Sequence, residues 1–440
     1  MCAVTAADEL LALDRRHVWH PFTQAATAPP AIPIRSARGA SLIAADGREY
    51  LDLISSWWVT LHGHAHPAIA AAVARQAAQL EQVIFAGFTH EPAIQVAARI
   101  SALLPAGLER VFYSDDGSTS VEVALKLAYQ FWRNKGEPRR HRFLAFEGGY
   151  HGDTLGAMSA GRSSGFYKPF HDLLFAVDLL PFPETWNDDP EVAEKESTSL
   201  AMLDAWIGRH GRDAVALIME PLVQGAGGMR LCRPAFVRAV AERLNAAGIL
   251  LILDEVMTGF GRTGAAFACL KAGVTPDLIC LSKGLTGGFL PLAATVCRQE
   301  IYEAFLGGNF ERAFAHGHSF TANALGCAAA LASLDLLQAP ETTARIAAIE
   351  SAHRERLARL ADRPGLTRGR LCGTIAAITL GGSEQGYDAS RGPRLRAFFL
   401  ERGLLIRPLG SVVYLLPPYC VSREELHRGY DAIEEAAAFN

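Results

Sequence analysis

Long apolar stretches in this chain come in two textures, and the difference between them sets out most of the architecture. Some are continuous. Gly248-Ile249-Leu250-Leu251-Ile252-Leu253 runs without a polar break and stops at Asp254-Glu255, and Leu278-Ile279-Cys280-Leu281 does the same before Ser282-Lys283-Gly284. Short continuous runs of this kind suit strands buried on both faces of a parallel sheet. Val111–Tyr113, Phe143–Phe146 and Ala214–Met219 have the same texture, each closing on a polar or glycine-rich segment. Between them the apolar residues recur at helical spacing. Val121, Leu125 and Ala128 follow Gly117-Ser118, and another helix spans Pro234 to Ala247. Repeated strand–helix units predict a mostly parallel sheet wrapped by helices.

The ends of the chain read differently. A short helix is expected over Ala7–Arg16. Alternating runs at Ser41–Ala44 and Glu49–Leu53 flank Asp46-Gly47, which predicts a hairpin with a type I′ turn. A proline-started helix follows from Pro67 to about Ile84, with Ile69, Val73, Leu80 and Ile84 on one stripe. Residues 183–200 are rich in Pro, Asp, Glu and Ser and read as a surface excursion. After about residue 335 come helices at 340–361 and 393–402, a strand at 374–380 and two short strands around Arg407 and Tyr414. The predicted fold is α/β. A large domain spans 66–335, a small α+β domain spans 336–440, and the 1–65 segment packs with the latter.

Composition narrows the class rather than the function. Half of the 440 residues are hydrophobic, a fifth are charged, and the net charge is −4. No basic excess points to nucleic acid or to a membrane surface, and no uncharged apolar run reaches the ~18–20 residues of a spanning helix. The first sixteen residues carry Asp8, Glu9 and Asp14 and do not read as a signal peptide. Eight scattered cysteines without a C-x-x-C pair fit a reducing cytoplasm and no zinc site. His62, His64 and His66 alternate, but Gly63 and Pro67 make that stretch a turn, and no metal is expected there.

The candidate chemistry lies at the strand ends. In open α/β sheets, ligands bind beyond the carboxyl ends of the strands. Asp254 and Lys283 end two successive strands and would face one crevice. A lysine beside apolar surface loses part of its preference for the ammonium form and becomes a nucleophile. An acid next to it can hold a pyridinium, and the two together are what pyridoxal phosphate needs. Gly117-Ser118, between a strand and a helix, offers N–H groups and a hydroxyl to a phosphate.

These residues, with Val121-Glu122, Tyr150-His151-Gly152-Asp153, Glu220-Pro221, Gln224-Gly225, Thr258–Gly264 and Leu285-Thr286-Gly287-Gly288, resemble the class III (subgroup II) aminotransferases of the fold-type I pyridoxal phosphate enzymes. The resembling segments run from about residue 17 to 420. A narrower similarity lies in Arg16–Pro21, Ser55-Ser56-Trp57-Trp58, Gln224–Met229 and Ile406-Arg407-Pro408. It is to the branch of that family that aminates 8-amino-7-oxononanoate, with adenosylmethionine as donor, in biotin synthesis. Relatives that act on ornithine or 4-aminobutyrate carry Glu where this chain has Ala226, and that carboxylate masks their substrate-binding arginine.

The resemblance implies a role for each position. Lys283 would hold the cofactor's aldehyde and Asp254 its ring nitrogen. Gly117 and Ser118 would cradle the phosphate, and Tyr150 would lie against the ring and reach the substrate. Trp57 and Phe22 would wall the substrate pocket, and Arg407 would receive the oxononanoate carboxylate. Gly317, His318 and Ser319 would come from the other subunit of a homodimer, so that the site lies at the interface. Many relatives have Tyr in place of Phe22, Thr in place of Ser319 and Pro in place of His318. Other readings stay open at this level. They are a class III aminotransferase for an ω-amino acid or diamine, the same acceptor with lysine as donor, and an aminomutase needing no external acceptor. A non-catalytic member would be expected to lack Lys283 or Asp254.

Overall fold

The computed structural model describes residues 6–381 and 391–437. Its centre is a seven-stranded sheet built from Leu108–Ser114 (β1), Arg142–Phe146 (β2), Val177–Leu180 (β3), Ala214–Met219 (β4), Leu250–Asp254 (β5), Leu278–Leu281 (β6) and Ala293–Arg298 (β7), in the order β1-β7-β6-β5-β4-β2-β3. Every neighbouring pair from β6 to β3 is parallel. β7 alone runs antiparallel, to both β6 and β1.

The continuous apolar texture has its expected cause. Successive side chains of a strand point to opposite faces, and both faces here are covered. Leu251, Leu253, Ile279 and Leu281 join one core, while Leu250, Ile252, Leu278 and Cys280 join a second. The second core is closed by the Gly117–Asn134 helix, through Val121, Ala124, Leu125 and Ala128. Asp116 caps that helix by accepting from Thr119 N–H, and the Thr119 hydroxyl accepts in return from Asp116 N–H. Asp254 pairs in register with Cys280, which sets the carboxyl ends of β5 and β6 side by side.

Two smaller sheets lean on this centre. Ile34–Arg38, Ser41–Ala44 and Glu49–Asp52 form an antiparallel meander, and its last strand pairs in parallel with Leu404–Leu405. Leu366–Cys372, Ile375–Leu380 and Val412–Leu415 form the other. Chain segments some 350 residues apart are thereby tied together. Ser55 Oγ donates to Leu416 O at 2.8 Å, and Trp58 Nε1 donates to the Tyr414 hydroxyl at 3.0 Å.

Three local expectations are corrected. At the hairpin, Gly47 N–H bonds to Ala44 O and Ala44 N–H to Arg48 O, and of Asp46 and Gly47 only the glycine has positive φ, at 87°. That is a three-residue loop, a type I turn with a left-handed glycine, and not the two-residue type I′ turn, which needs positive φ at both central positions. The helix begun at Pro67 ends at Ala77, not near Ile84; of its expected stripe Ile69 is buried, whereas Ile84 is exposed. The 183–200 stretch is not wholly an excursion, because Val192–His210 is a 19-residue helix that buries Glu196, Ser199, Leu203 and Trp206. Its polar residues are internal because they are paired: Arg233 binds Glu196, and Ser199 Oγ donates to Pro181 O.

Candidate active site

Asp254 is the last residue of β5, and Lys283 follows the end of β6 by two residues. Both line one cavity of about 590 Å³ beyond the carboxyl ends of the strands. Lys283 enters it from a strained backbone, with φ of 44°, a region that non-glycine residues avoid unless their surroundings hold them there. Its Nζ lies 4.5 Å from the centre of the Trp58 ring. Burial pulls the amine down to about 8, against the opposing pull of Asp254 and Glu220. Roughly a tenth of such an amine is neutral at pH 7, far more than of a free lysine.

Asp254 is buried and fully engaged. One oxygen accepts from Val256 N–H at 3.0 Å and the other from His151 Nδ1 at 2.7 Å. Burial would depress the imidazole, yet its bond to Asp254 and the charges of Asp254 and Glu220 leave it raised. A carboxylate held by two donors is fixed in place, and its position at the cavity suits the nitrogen of a bound pyridine. Glu220 adds a second buried acid. Burial raises it to about 7, while its two oxygens accept from Tyr150 N–H and Gly225 N–H, each at 2.9 Å. Tyr150 thus has its backbone fixed from behind, its hydroxyl bound to Asp153 and its ring stacked against Tyr167 at 22°.

The Gly117-Ser118 corner is built for close approach. A Cβ on Gly117 would meet Val256 Cγ1 at 2.6 Å, and one on Gly152 would meet Ser118 Oγ at 2.1 Å. Gly152 also has φ of +120°. The Ser118 hydroxyl accepts from Asp153 N–H at 3.1 Å. Glycines, a hydroxyl and the first turn of an 18-residue helix meet at one corner of the cavity, which fits a phosphate. A lysine, a buried acid and this corner together are the set that pyridoxal phosphate requires.

An aromatic wall closes the outer side. Phe22 packs against Trp57 at 5.6 Å and against Phe166 at 5.5 Å, and all three line the cavity. The Arg407 guanidinium sits over the Trp57 ring at 4.8 Å. Among the described residues no carboxylate comes within ion-pair distance of it, and Arg396 lies near enough to feel its charge. Ala226 lines the cavity with a methyl group and offers no acid to that arginine. Gly317, His318 and Ser319 do not line this chain's cavity. His318 Nδ1 reaches Asp115 at 3.2 Å and Ser319 O accepts from Gln82. Of the three alternating histidines, His62 bonds to Ser333 and packs edge-on against His66, while His64 turns away to Asp52.

Sequence reasoning gave no role to Trp58, to the buried His151 and Glu220, or to Arg262. Arg262 is fully buried and donates to Pro417 O at 2.7 Å and, at 3.4 and 3.5 Å, to the carbonyls of Trp58 and Thr60. It anchors the strained Ser55–Trp58 segment, where Ser55, Ser56 and Trp58 all have positive φ. The available signal was proximity: His151 and Glu220 each sit just past a strand end, as Asp254 does.

Comparison with known proteins places this geometry. The family model described as Aminotransferase class-III matches residues 22–437. The adenosylmethionine-8-amino-7-oxononanoate aminotransferase of Synechococcus elongatus is 56% identical over 419 residues, covering 95% of this chain and 98% of its own. The crystal structure of the enzyme of that name from Methanocaldococcus jannaschii superposes with a TM-score of 0.90 at 34% identity, covering 98% and 99% of the two chains. A PLP-bound amine transaminase from an uncultivated Pseudomonas species superposes with a TM-score of 0.89 at 32% identity, covering 96% and 98%.

Proposed function

The chain belongs to the class III aminotransferases and is a pyridoxal-5′-phosphate-dependent enzyme, and from that premise we propose that it aminates 8-amino-7-oxononanoate to 7,8-diaminononanoate, with adenosylmethionine as donor, in biotin synthesis. The observation that carries the substrate reading is Arg407, resting on the cavity residue Trp57 without a carboxylate among the described residues, while the cavity has Ala226 where an acid could have stood. A guanidinium left free in this way is suited to the carboxylate of an incoming acceptor, which it can grip with two parallel hydrogen bonds.

Pyridoxal phosphate, when bound, supplies the electron sink for the carbon that loses its proton. Gly117 and Ser118 would hold the phosphate, and Tyr150 would lie against the ring. Asp254, fixed by its bond to His151, would accept a hydrogen bond from the ring nitrogen. Lys283 Nζ would hold the aldehyde and, as a free amine, would move the proton of the donor carbon. The acceptor is then aminated by the reverse sequence in the same cavity, so one pocket serves both partners in turn. The aromatic wall of Phe22, Trp57 and Phe166 suits this double duty, offering ring faces to a sulfonium and apolar cover to a long acyl chain.

Two further elements belong to this reading. The active unit is a homodimer in which Gly317, His318 and Ser319 reach the partner's cavity; in support, they lie outside their own, and Phe320 beside them is exposed. The enzyme works in the cytoplasm, which fits seven free cysteines among the described residues and no helix there long and apolar enough to cross a membrane.

The test is purified protein mixed with adenosylmethionine, lysine or alanine in parallel, followed by 8-amino-7-oxononanoate. Loss of the yellow cofactor band with adenosylmethionine alone, and its return on adding the acceptor, is expected. Bleaching only by lysine would move the donor assignment, and no return with the acceptor would remove the substrate.

A further inference from the structure

Glu220 does not fit the role of a plain structural acid. It ends no helix and, among the described residues, pairs with no lysine or arginine; instead each of its oxygens holds the backbone of a different wall of the cavity, through Tyr150 N–H and Gly225 N–H. It is itself buried and lines the cavity. Tyr150 is the ring proposed to lie against the cofactor, and Gly225 precedes Ala226, on the substrate side. The charged and titratable groups facing Glu220 are His151 and Asp254 from the β2 and β5 ends, Lys283 from β6, and Tyr167 behind Tyr150.

We propose that Glu220 is a positioning residue which couples the protonation of Lys283 to the placement of Tyr150 and of the Gly225-Ala226 wall. The inference rests on Lys283 being the amine that holds the cofactor. Ionised Glu220 favours a positive charge at Lys283 and grips both backbone N–H groups as a charged acceptor, which strengthens them. Protonated Glu220 keeps only one full acceptor and releases part of that grip. Burial sets its own ionisation near neutrality, at about 7, close to the lysine's at about 8. A proton arriving at either group is therefore felt by the other within the working pH range.

The measurement is the pH titration of the bound cofactor's absorption band, which reads the charge at the Lys283 nitrogen without any turnover. Glu220→Gln removes the charge and retains a carbonyl acceptor, so the midpoint is expected to fall by roughly one unit. Glu220→Asp retains the charge but withdraws it by one methylene. It should hold the wild-type midpoint while weakening the cofactor's circular dichroism, as Tyr150 loosens. An unchanged midpoint in Glu220→Gln, or equal shifts in the two variants, would overturn the proposal and leave a structural clip. Should Glu220→Gln not fold, the cofactor-free wild type decides. The rate of Lys283 acylation against pH is expected to show two inflections, and a single one overturns the coupling. A Lys283→Ala protein that stays yellow would instead break the reading of Lys283, and not that of Glu220.

Discussion

His151 Nδ1 donates to Asp254 Oδ2 at 2.7 Å, with both side chains almost wholly buried. The bond spans 103 residues of sequence and joins the end of β2 to the end of β5. Removing one partner of a buried pair leaves the other charge uncompensated, at a cost of about 3–5 kcal/mol. His151→Ala is therefore expected to lower the melting temperature and to weaken cofactor binding, because Asp254 would lose the bond that fixes its carboxylate at the cavity. His151→Asn, which retains a donor, should recover part of both. Thermal unfolding and cofactor titration check this, and an Ala variant with wild-type cofactor affinity would contradict it.

Cofactor capture by the cofactor-free enzyme should depend on pH with a midpoint near 8. The amine attacks only when neutral, and burial has lowered Lys283 to about that value from 10.5. The rate should thus rise as pH increases through 8 and then level, rather than keep climbing toward 10. Stopped-flow absorbance of cofactor uptake measures it. Lys283→Ala should show no such phase and no turnover in either half-reaction.

Arg407→Ala should raise KM for the oxononanoate far more than it disturbs the donor half-reaction. A lost hydrogen bond to a charged group costs about 1.5–3 kcal/mol, roughly a 10- to 150-fold change. Equal damage to both halves would remove its proposed role.

Gly152→Ala should spare the fold more than the cofactor site. The new methyl would fall 2.1 Å from Ser118 Oγ at a backbone φ of +120°, so Ser118 must move out of the phosphate corner. Cofactor affinity is expected to drop at least tenfold while far-ultraviolet circular dichroism stays native. Unaltered affinity would show that Ser118 does not hold the phosphate.

Stability against pH should follow two buried groups of opposite sign. Glu255 accepts from Ala268 and Cys269 N–H, and burial raises it to about 7. From about 4.5 to 7 the folded chain holds this proton and the unfolded chain does not, so its contribution falls as pH rises through that window. His353 is buried against Tyr430 and depressed to about 3, so its contribution is present above 6.5 and is lost as pH falls from 6.5 toward 3. Each slope is at most about 1.4 kcal/mol per pH unit. His353→Gln should consequently lose less stability than the wild type between pH 6.5 and 3, as measured by urea unfolding of cofactor-free protein. Equal acid sensitivity would reject that assignment.

Much of the site could be read from the chain because its key residues are punctuation. Asp254 and the Ser282-Lys283 pair come directly at the close of apolar runs that have no choice but to be buried strands, and Gly117-Ser118 opens the next helix for the same local reason. The failures are equally physical. The helix begun at Pro67 stops at Ala77 although apolar residues continue at helical spacing, since Ile84 finds no core to enter within this chain. The polar stretch before Leu200 turns out helical because Arg233, distant in sequence, neutralises Glu196.

What the sequence determined by itself was the order of strands and helices and the identity of the acid and the amine, both consequences of periodicity and of where apolar runs end. Only the tertiary structure decided what those two groups touch. Parallel pairing set Asp254 beside Cys280 and so brought the ends of β5 and β6 together. A left-handed twist at Lys283 turned its amine onto Trp58. His151, Glu220 and Arg262 reached the site across a hundred residues or from separate strand ends. No local pattern encodes such contacts, because a buried charge finds its partner only when the folded core leaves it nowhere else to go.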